Sequence, residues 1–172
     1  NIKKAADVRA TFGSYEAAME DVEAERVIRS SPKFTDDYQW GWTADEKSDG
    51  SIDGSRMNEI DEHRRTYVDG YRDVLPEPYT LSDVVREFVY WDWLYSVRHT
   101  AGHELGYEFG YSEHHESVYD RERYLEKLLA TIKPVTRAEA VEVCSWFLAS
   151  GKDEYMEDNG AAVILNLVGE CE

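Results

Sequence analysis

The chain is short of positive charge. Its 172 residues include 19 Lys and Arg against 36 Asp and Glu, which gives a formal net charge of −17 at pH 7. Proteins that bind DNA, RNA or anionic membranes do so through Lys and Arg side chains that neutralise phosphates. The composition therefore argues against direct binding of nucleic acid or of a membrane surface.

Cysteine and long apolar runs are equally scarce. Cys144 and Cys171 are the two cysteines, and two isolated cysteines do not make a disulfide framework. No charge-free apolar run reaches the roughly 18 residues that a transmembrane helix needs. The first residues also lack the apolar centre of a signal peptide. Together these absences predict a cytoplasmic protein.

Motifs that would identify an enzyme are missing. The sequence has no glycine-rich phosphate loop, no G-x-S-x-G turn and no C-x-x-C pair. Acidic residues occur throughout, so no particular pair of carboxylates is marked out for acid–base catalysis. We therefore expect a protein that is not an enzyme and that binds no cofactor.

The apolar content is nevertheless that of a folded protein. Hydrophobic residues make up 42% of the chain and aromatic residues 13%, enough to form the core of a single domain spanning 1–172. The negative charge is not confined to a tail. Residues 1–50, 51–100 and 101–150 each carry a net −4, and residues 151–172 carry a net −5. The acidity is thus expected to cover the surface of the whole fold.

Apolar spacing predicts an all-α fold of about six helices. The strongest signal covers residues 84–97, of which ten in fourteen are apolar or aromatic. We interpret it as a central helix at roughly 82–111 with Ser82 as its cap, although valines and aromatics also favour strands. Residues 31–55 are rich in Ser, Asp, Gly and Pro, and they are expected to form a long irregular insertion.

Helix signals also flank this centre. Ser14 is expected to cap a helix that runs to about Val27. Near the C-terminus, Thr136 and Glu139 form a capping box, and the following helix is expected to face inward through Val141, Cys144, Phe147 and Leu148. The Pro-Val-Thr cap, amphipathic helix and acidic turn of this last third resemble those of small uncharacterised helical proteins of bacterial and phage genomes. That resemblance implies no particular activity.

The histidines are concentrated in one stretch, GHELGYEFGYSEHHE at residues 102–116. It resembles the zinc-protease helix of the metzincin family, with His103, Glu104 and Gly110 in register. Tyr107 stands where that family has its second histidine, so one of the main zinc ligands is replaced by a phenol.

The same stretch has a second interpretation. In a continuous helix, Gly102, Gly106 and Gly110 form one stripe beside a stripe of His and Tyr. The glycines would then permit close packing of another helix, and the His/Tyr stripe would pack and hydrogen-bond at that interface. The alternative is a metal-dependent, hydrolase-like site that uses His99 and His103, one turn apart.

Residues 45–56, DEKSDGSIDGSR, resemble an EF-hand calcium loop. Asp45, Asp49, Gly50 and Asp53 match that pattern, whereas Arg56 stands at the twelfth position, where a bidentate glutamate is required. A pair of Asp-Gly turns, such as those of a hairpin, is the favoured interpretation of this stretch.

In its size, acidity and lack of catalytic motifs, the chain resembles the anti-restriction and anti-CRISPR proteins of phages and plasmids, which mimic DNA. The resemblance implies an inhibitor whose acidic surface blocks a basic nucleic-acid-binding protein or nucleoprotein complex. An aromatic recognition loop is compatible with this role, because Trp and Tyr dominate protein interfaces. High solubility or adaptation to salt would also account for the acidity. The expected partner-binding residues are Tyr38, Trp40, Trp42, Asp153, Glu154, Glu157 and Asp158.

Overall fold

A long central helix organises the fold. The structure is a computed structural model that describes residues 2–107, 114–155 and 159–169, and within these ranges it contains helices and no strand. The all-α prediction is confirmed. Six of the ten described α-helices have nine or more residues. The helices are α1 (Ile2–Phe12), α2 (Tyr15–Ala18), α3 (Glu23–Arg29), α4 (Ala44–Asp49), α5 (Gly54–Val68), α6 (Leu81–Glu104), α7 (Glu116–Thr131), α8 (Arg137–Ala149), α9 (Lys152–Tyr155) and α10 (Gly160–Val168).

Helix α6 is the central aromatic-rich helix that the sequence predicts. It buries a stripe of residues three or four apart, including Val84, Phe88, Trp91 and Leu94, because that spacing keeps side chains on one face of a helix. Helices α1, α2, α7 and α8 pack against it. The core of the protein therefore surrounds α6.

The two ends of α6 differ from the prediction. Its cap is Thr80, whose Oγ1 accepts from the backbone N–H of Asp83 at 3.1 Å, and Ser82 lies inside the first turn. The helix ends at Glu104 and not near residue 111, because Gly106 adopts a left-handed conformation with φ of 73°. Tyr107 then donates its backbone N–H to the Gly102 carbonyl at 2.9 Å, a bond typical of a glycine-terminated helix.

Residues 31–55 are more ordered than predicted. Helix α4 lies within them, capped by Thr43 and ended by Gly50 in the left-handed conformation. Asp53 caps the start of α5 by accepting from the Arg56 N–H at 2.8 Å. The two Asp-Gly pairs thus end one helix and begin the next, and neither forms a hairpin.

Helices α2 and α8 also differ from the predictions. Ser14 is a cap, as expected, but its helix α2 stops at Ala18, and the chain resumes as α3 at Glu23. In α8, Phe147 is buried and Cys144 is partly buried, whereas Val141 and Leu148 are exposed. Ala140 and Val143 are buried instead. The buried face of α8 is therefore shifted by one residue from the predicted face.

Three arginine–carboxylate pairs lie in the interior. Arg64 pairs with Asp120 at 2.9 Å, Arg98 with Glu25 at 2.6 Å and Arg121 with Glu87 at 2.7 Å. The arginine side chains are at most 10% exposed. Each pair joins two different helices: α5 to α7, α3 to α6, and α7 to α6.

A left-handed turn connects α5 to the chain that leads into α6. Asp69, Gly70 and Tyr71 have φ angles of 47°, 59° and 55°, a conformation that costs a non-glycine residue about 1–2 kcal/mol. Helix α7 holds this turn, since Arg121 donates to the Gly70 carbonyl at 2.8 Å and the ring of Tyr124 covers Gly70.

Candidate functional site

A cleft of about 430 Å³ opens between residues 35–40, helix α5 and the start of α7. Two of the three predicted aromatic residues, Tyr38 and Trp40, line it. Trp42 lies behind Tyr38, with the two ring centroids 6.2 Å apart in an edge-on arrangement. The cleft is the candidate functional site because it combines aromatic side chains, charged groups and enough volume for a side chain of another molecule.

The aromatic side of the cleft is held by α5. The Trp40 ring packs against His63 at 5.2 Å and against Tyr67 at 5.4 Å between ring centroids. Tyr38 is 83% exposed, whereas Trp40 and Trp42 are partly buried. The aromatic segment, residues 38–42, therefore packs against the protein at Trp40 and exposes Tyr38 to solvent.

Two contacts keep this segment in place. Arg56 at the start of α5 donates to Glu46 of α4 at 2.8 Å and to the Gly41 carbonyl at 3.1 Å. Gly41 lies directly over Ile60, where an added Cβ would come within 3.1 Å of the Ile60 side chain. With its φ of 80°, position 41 is one where glycine is strongly favoured.

The floor of the cleft carries arginines whose charge is already compensated. Arg64 pairs with Asp120 and also donates to the Thr35 carbonyl at 3.3 Å. Arg123 pairs with Glu116 at 3.1 Å and with Asp120 at 3.3 Å. Burial raises the pKa of the Asp120 carboxyl, and Arg64 opposes that effect. The guanidinium groups of the floor thus neutralise carboxylates within the protein.

His115 lies beside this floor as a neutral group. Burial is the main cause that lowers the pKa of its imidazole, and the charge of Arg29 adds to the effect. The Nδ1 atom accepts from the backbone N–H of Ser117 at 3.2 Å, which caps α7. The ring stacks on Phe34 at 5.4 Å between centroids. These contacts give His115 a structural role in the wall of the cleft.

The rim of the cleft is acidic. Asp36 and Asp61 line it, and neither has a Lys or Arg partner within the described part of the chain. Asp37 faces Lys47 at 3.7 Å. An aromatic wall with unpaired carboxylates at its edge favours a cationic group, which is attracted both to the ring faces and to the carboxylates.

The predicted acidic residues of the C-terminal region lie elsewhere. Asp153 and Glu154 are exposed on α9, which packs against α8 and α10, and they are not among the residues that line the cleft. Glu157 and Asp158 lie outside the described residues. Among the described residues, the structure therefore does not bring Asp153 and Glu154 into the cleft that Tyr38 and Trp40 line.

The histidine stripe is interrupted by the end of α6. His99 and His103 lie one turn apart on exposed positions of the helix, beside a smaller cleft of about 260 Å³ that Lys4 also lines. His103 Nδ1 is 3.6 Å from Glu104. Gly102 and Gly106 do not form a continuous stripe, because Gly106 lies past the helix end, and Gly110 lies outside the described residues.

The described residues contain no group of three or more His, Cys, Asp or Glu side chains arranged to hold a metal ion. Among these residues, neither His99 and His103 nor the acids of the stretch that resembles an EF-hand belong to such a group. In that stretch Asp45 and Asp49 are helical and do not form a loop. None of the described helices has the length and apolar character needed to cross a membrane.

The buried pair Arg64–Asp120 was not predicted from the sequence. One signal was available, since Arg64 lies midway between the buried residues Ile60 and Val68 on the inward stripe of α5. A charged residue on an inward stripe is rarely fully buried unless it is paired. The identity of its partner depends on a contact between distant helices, which the sequence does not display.

A comparison of the chain with protein-family models, curated proteins and solved structures finds no match.

Proposed function

We propose that this protein is a non-enzymatic inhibitor that binds a basic nucleic-acid-binding protein, such as a restriction or CRISPR effector. Its acidic surface would compete with nucleic acid, and the cleft between residues 35–40 and α5 would be its docking point. The observation that carries the proposal is the cleft rim, where the unpaired carboxylates of Asp36 and Asp61 lie beside Tyr38 and Trp40.

The cleft suits an Arg or Lys side chain of the partner. The aromatic rings offer cation–π attraction of about 0.5–2 kcal/mol, and the rim carboxylates add charge-assisted hydrogen bonds. Tyr38, which is 83% exposed, has apolar area to bury against the same partner. Together these features would make the cleft a local anchor within a wider electrostatic interface.

The rest of the surface supports the same class of partner. Most of the twelve arginines already pair with carboxylates of the protein, and within the described residues only Arg9, Arg65 and Arg137 have no carboxylate partner. The net charge of −17 is what remains after all 19 Lys and Arg are counted against the 36 Asp and Glu. A field of this sign steers a basic partner toward the protein and is weakened by salt.

The first test uses a labelled peptide of alternating arginine and glycine. We expect it to bind the protein with an affinity that falls steeply as the salt concentration rises. Duplex DNA added to the mixture should displace the peptide from the protein. The variant pair Asp36→Asn and Asp61→Asn should weaken binding more than the control pair Asp7→Asn and Glu142→Gln. Asp7 and Glu142 are exposed and do not line the cleft. Both double variants remove two negative charges, so they differ only in position.

The second test concerns competition with nucleic acid. A complex of a sequence-nonspecific DNA-binding domain with a labelled duplex should release its DNA when the protein is added at low salt. Release that is equal for the cleft variant and for its charge-matched control would reject the cleft as the docking point. Peptide binding that is indifferent to salt, together with no release of DNA, would overturn the proposed function itself.

A further inference from the structure

Two adjacent histidines, His114 and His115, lie directly before helix α7 and are sheltered from solvent. His114 is 8% exposed, and His115 is partly buried. The other three histidines, His63, His99 and His103, are exposed. Histidine is the side chain whose charge ordinarily changes near neutral pH, so a sheltered pair at one helix end can respond to pH as a unit.

The ring of His114 packs among three aromatic side chains. Its centroid lies 6.1 Å from that of Trp91, 5.5 Å from that of Tyr95 and 6.0 Å from that of Tyr119. Its Nε2 is 3.0 Å from the backbone carbonyl oxygen of Trp91. Because a carbonyl oxygen only accepts, Nε2 carries the proton of the neutral ring and Nδ1 keeps the lone pair. Nδ1 is buried and has no hydrogen-bond partner within the described part of the chain.

The ring of His115 has the same tautomer for a different reason. Its Nδ1 accepts from the backbone N–H of Ser117 at 3.2 Å and from the Ser117 hydroxyl at 2.8 Å, and the first of these bonds caps α7. An accepting Nδ1 leaves the proton of the neutral ring on Nε2. In both rings, a second proton would therefore have to enter at Nδ1.

That second proton is costly at each position. In His114 it would place a charged N–H in the interior, where none of the described residues accepts from it. In His115 it would convert the acceptor of the cap into a donor and break both bonds to Ser117. The two positive charges would also stand at the positive end of the α7 dipole.

The charged groups around His114 do not remove this cost. Burial is the main cause that lowers the pKa of its imidazole, and Arg98 of α6 adds to the effect. Glu25 of α3, Asp92 of α6 and the bond to the Trp91 carbonyl oppose it. The net result is a pKa below the usual 6.5.

The surroundings of His115 act in the same direction. Burial again comes first among the causes that lower its pKa from 6.5, with Arg29 of α3 and Arg64 of α5 adding to it and Asp36 and Asp21 opposing it. The unfolded chain thus accepts protons at these positions at a higher pH than the folded protein does. The contribution of the pair to stability is complete above about pH 6.5 and is lost as the pH falls below that value.

We infer that His114 and His115 form an acid-sensitive latch that holds the start of α7. In acid, His114 leaves its aromatic pocket to reach water, and the cap that His115 provides opens. His115 and Glu116 both line the cleft beside residues 35–40, so release of the latch removes that wall of the cleft. Loss of a docked partner in acid rests on the proposed function, whereas the latch itself does not.

The test is hydrogen exchange read by mass spectrometry on the whole chain at about pH 8 and about pH 5, with rates corrected for the intrinsic effect of pH. Between these two conditions, we expect protection of peptides at the start of α7 to fall at least about tenfold more than protection of peptides in α8. A factor of ten corresponds to a shift of one unit in the pKa of a single group.

Two substitutions remove the titration and keep the contacts. In His115→Asn the side-chain oxygen still caps α7, because Asn is a favoured N-cap residue and does not titrate. In His114→Gln the side-chain amide can still donate to the Trp91 carbonyl. The double variant should lose most of the acid-induced difference, and His115→Asn alone should reduce it. His103→Asn, at a 74% exposed side chain of α6, is the matched control and should behave as the unaltered chain does.

Circular dichroism at about pH 8 establishes that each variant is folded, and His115→Asn alone decides the test if the double variant is not. An equal loss of protection in α7 and α8 would overturn the inference, since it would indicate acid unfolding of the whole protein. So would an acid-induced loss that the His115→Asn variant retains in full, or ¹⁵N chemical shifts that place the proton of either neutral ring on Nδ1. Because hydrogen exchange needs no partner, failure of the arginine–glycine peptide to bind would reject the proposed function without touching the latch.

Discussion

Arg121 and Glu87 form a bidentate ion pair, in which Arg121 Nε donates to Oε1 at 2.7 Å and Nη2 donates to Oε2 at 2.9 Å. The same guanidinium donates to the carbonyl oxygens of Gly70 and Pro76. One fully buried side chain thus joins α7 to α6 and to the left-handed turn between α5 and α6. Its planar set of donors is matched to four acceptors that lysine could not reach together.

Replacing Arg121 should be severely destabilising. Arg121→Met removes the donor of two carbonyls and leaves the Glu87 carboxylate with only the long contact from Trp91 Nε1, at 3.4 Å. Breaking one side of a buried pair costs about 3–5 kcal/mol. Urea unfolding followed by circular dichroism measures the loss. Arg86→Met is the control, since Arg86 is 74% exposed and pairs with Asp83 at the surface, where a pair contributes at most about 1 kcal/mol. Equal losses in the two variants would contradict the structural role of Arg121.

The left-handed turn provides a second prediction. A Cβ added at Gly70 would lie 2.4 Å from the Cβ of Tyr124, whereas one added at Gly50 would meet nothing within 4 Å. Both glycines have positive φ angles, 59° and 68°, so the backbone cost of alanine is similar at the two sites. Gly70→Ala should therefore lower the melting temperature well beyond Gly50→Ala. The difference isolates the packing of Tyr124 on the turn, and a matching drop in both variants would argue against that contact.

The helical content of this fold could be predicted from the sequence, because apolar spacing and caps are local signals. Thr136 and Ser14 are caps where the sequence indicates them. The sequence does not reveal the helix end at Glu104, because glycines spaced four residues apart are also typical of a stripe on a continuous helix. In the structure Gly106 has a positive φ and ends the helix. Local periodicity does not distinguish these two uses of glycine.

The candidate site was predicted only in part. Tyr38 and Trp40 line the cleft, as an aromatic segment between polar residues suggested. The acids that accompany them, Asp36 and Asp61, were indistinguishable in sequence from the many others. Their role depends on which carboxylates lack a cation nearby, and that is decided by contacts between helices.

Glu122 gives a prediction for pH. Burial is the main cause that raises the pKa of its carboxyl from 4.5 to about 7, with Asp92 and Glu126 adding to the shift and Lys152 and Arg123 opposing it. The folded state then holds a proton that the unfolded state releases near pH 4.5. The contribution of Glu122 to stability should therefore fall as pH rises from about 4.5 to about 7 and change little above that range.

The variant Glu122→Gln removes this titration. We expect it to raise the melting temperature at pH 8 by a few degrees and to flatten the decline between pH 5 and pH 7, as measured by thermal unfolding in a buffer series. Glu142→Gln, at an exposed position of α8, serves as the control and should leave the pH profile unchanged. A profile that Glu122→Gln does not alter would show that the Glu122 carboxyl titrates normally.

Arg56 should control the order of the aromatic segment more than the stability of the whole protein. It joins Glu46, Glu59 and the Gly41 carbonyl while lying partly exposed, so Arg56→Ala should lower the free energy of unfolding of the whole protein only slightly. Hydrogen exchange read by mass spectrometry should nevertheless quicken in peptides that cover α4. Arg72→Ala, which also removes contacts to two carboxylates, Asp69 and Glu77, should leave exchange in those peptides unchanged.

The interior ion pairs have a consequence for synthesis on the ribosome. Arg64 and the turn at Gly70 find their partners in α7, at Asp120 and Arg121, more than fifty residues further along the chain. Until that helix emerges, Arg64 lacks the carboxylate that compensates its burial, and the turn lacks the side chain that holds it. The first half of the protein is therefore not a folding unit, and a chain that stalls before α7 would remain a target for chaperones and proteases.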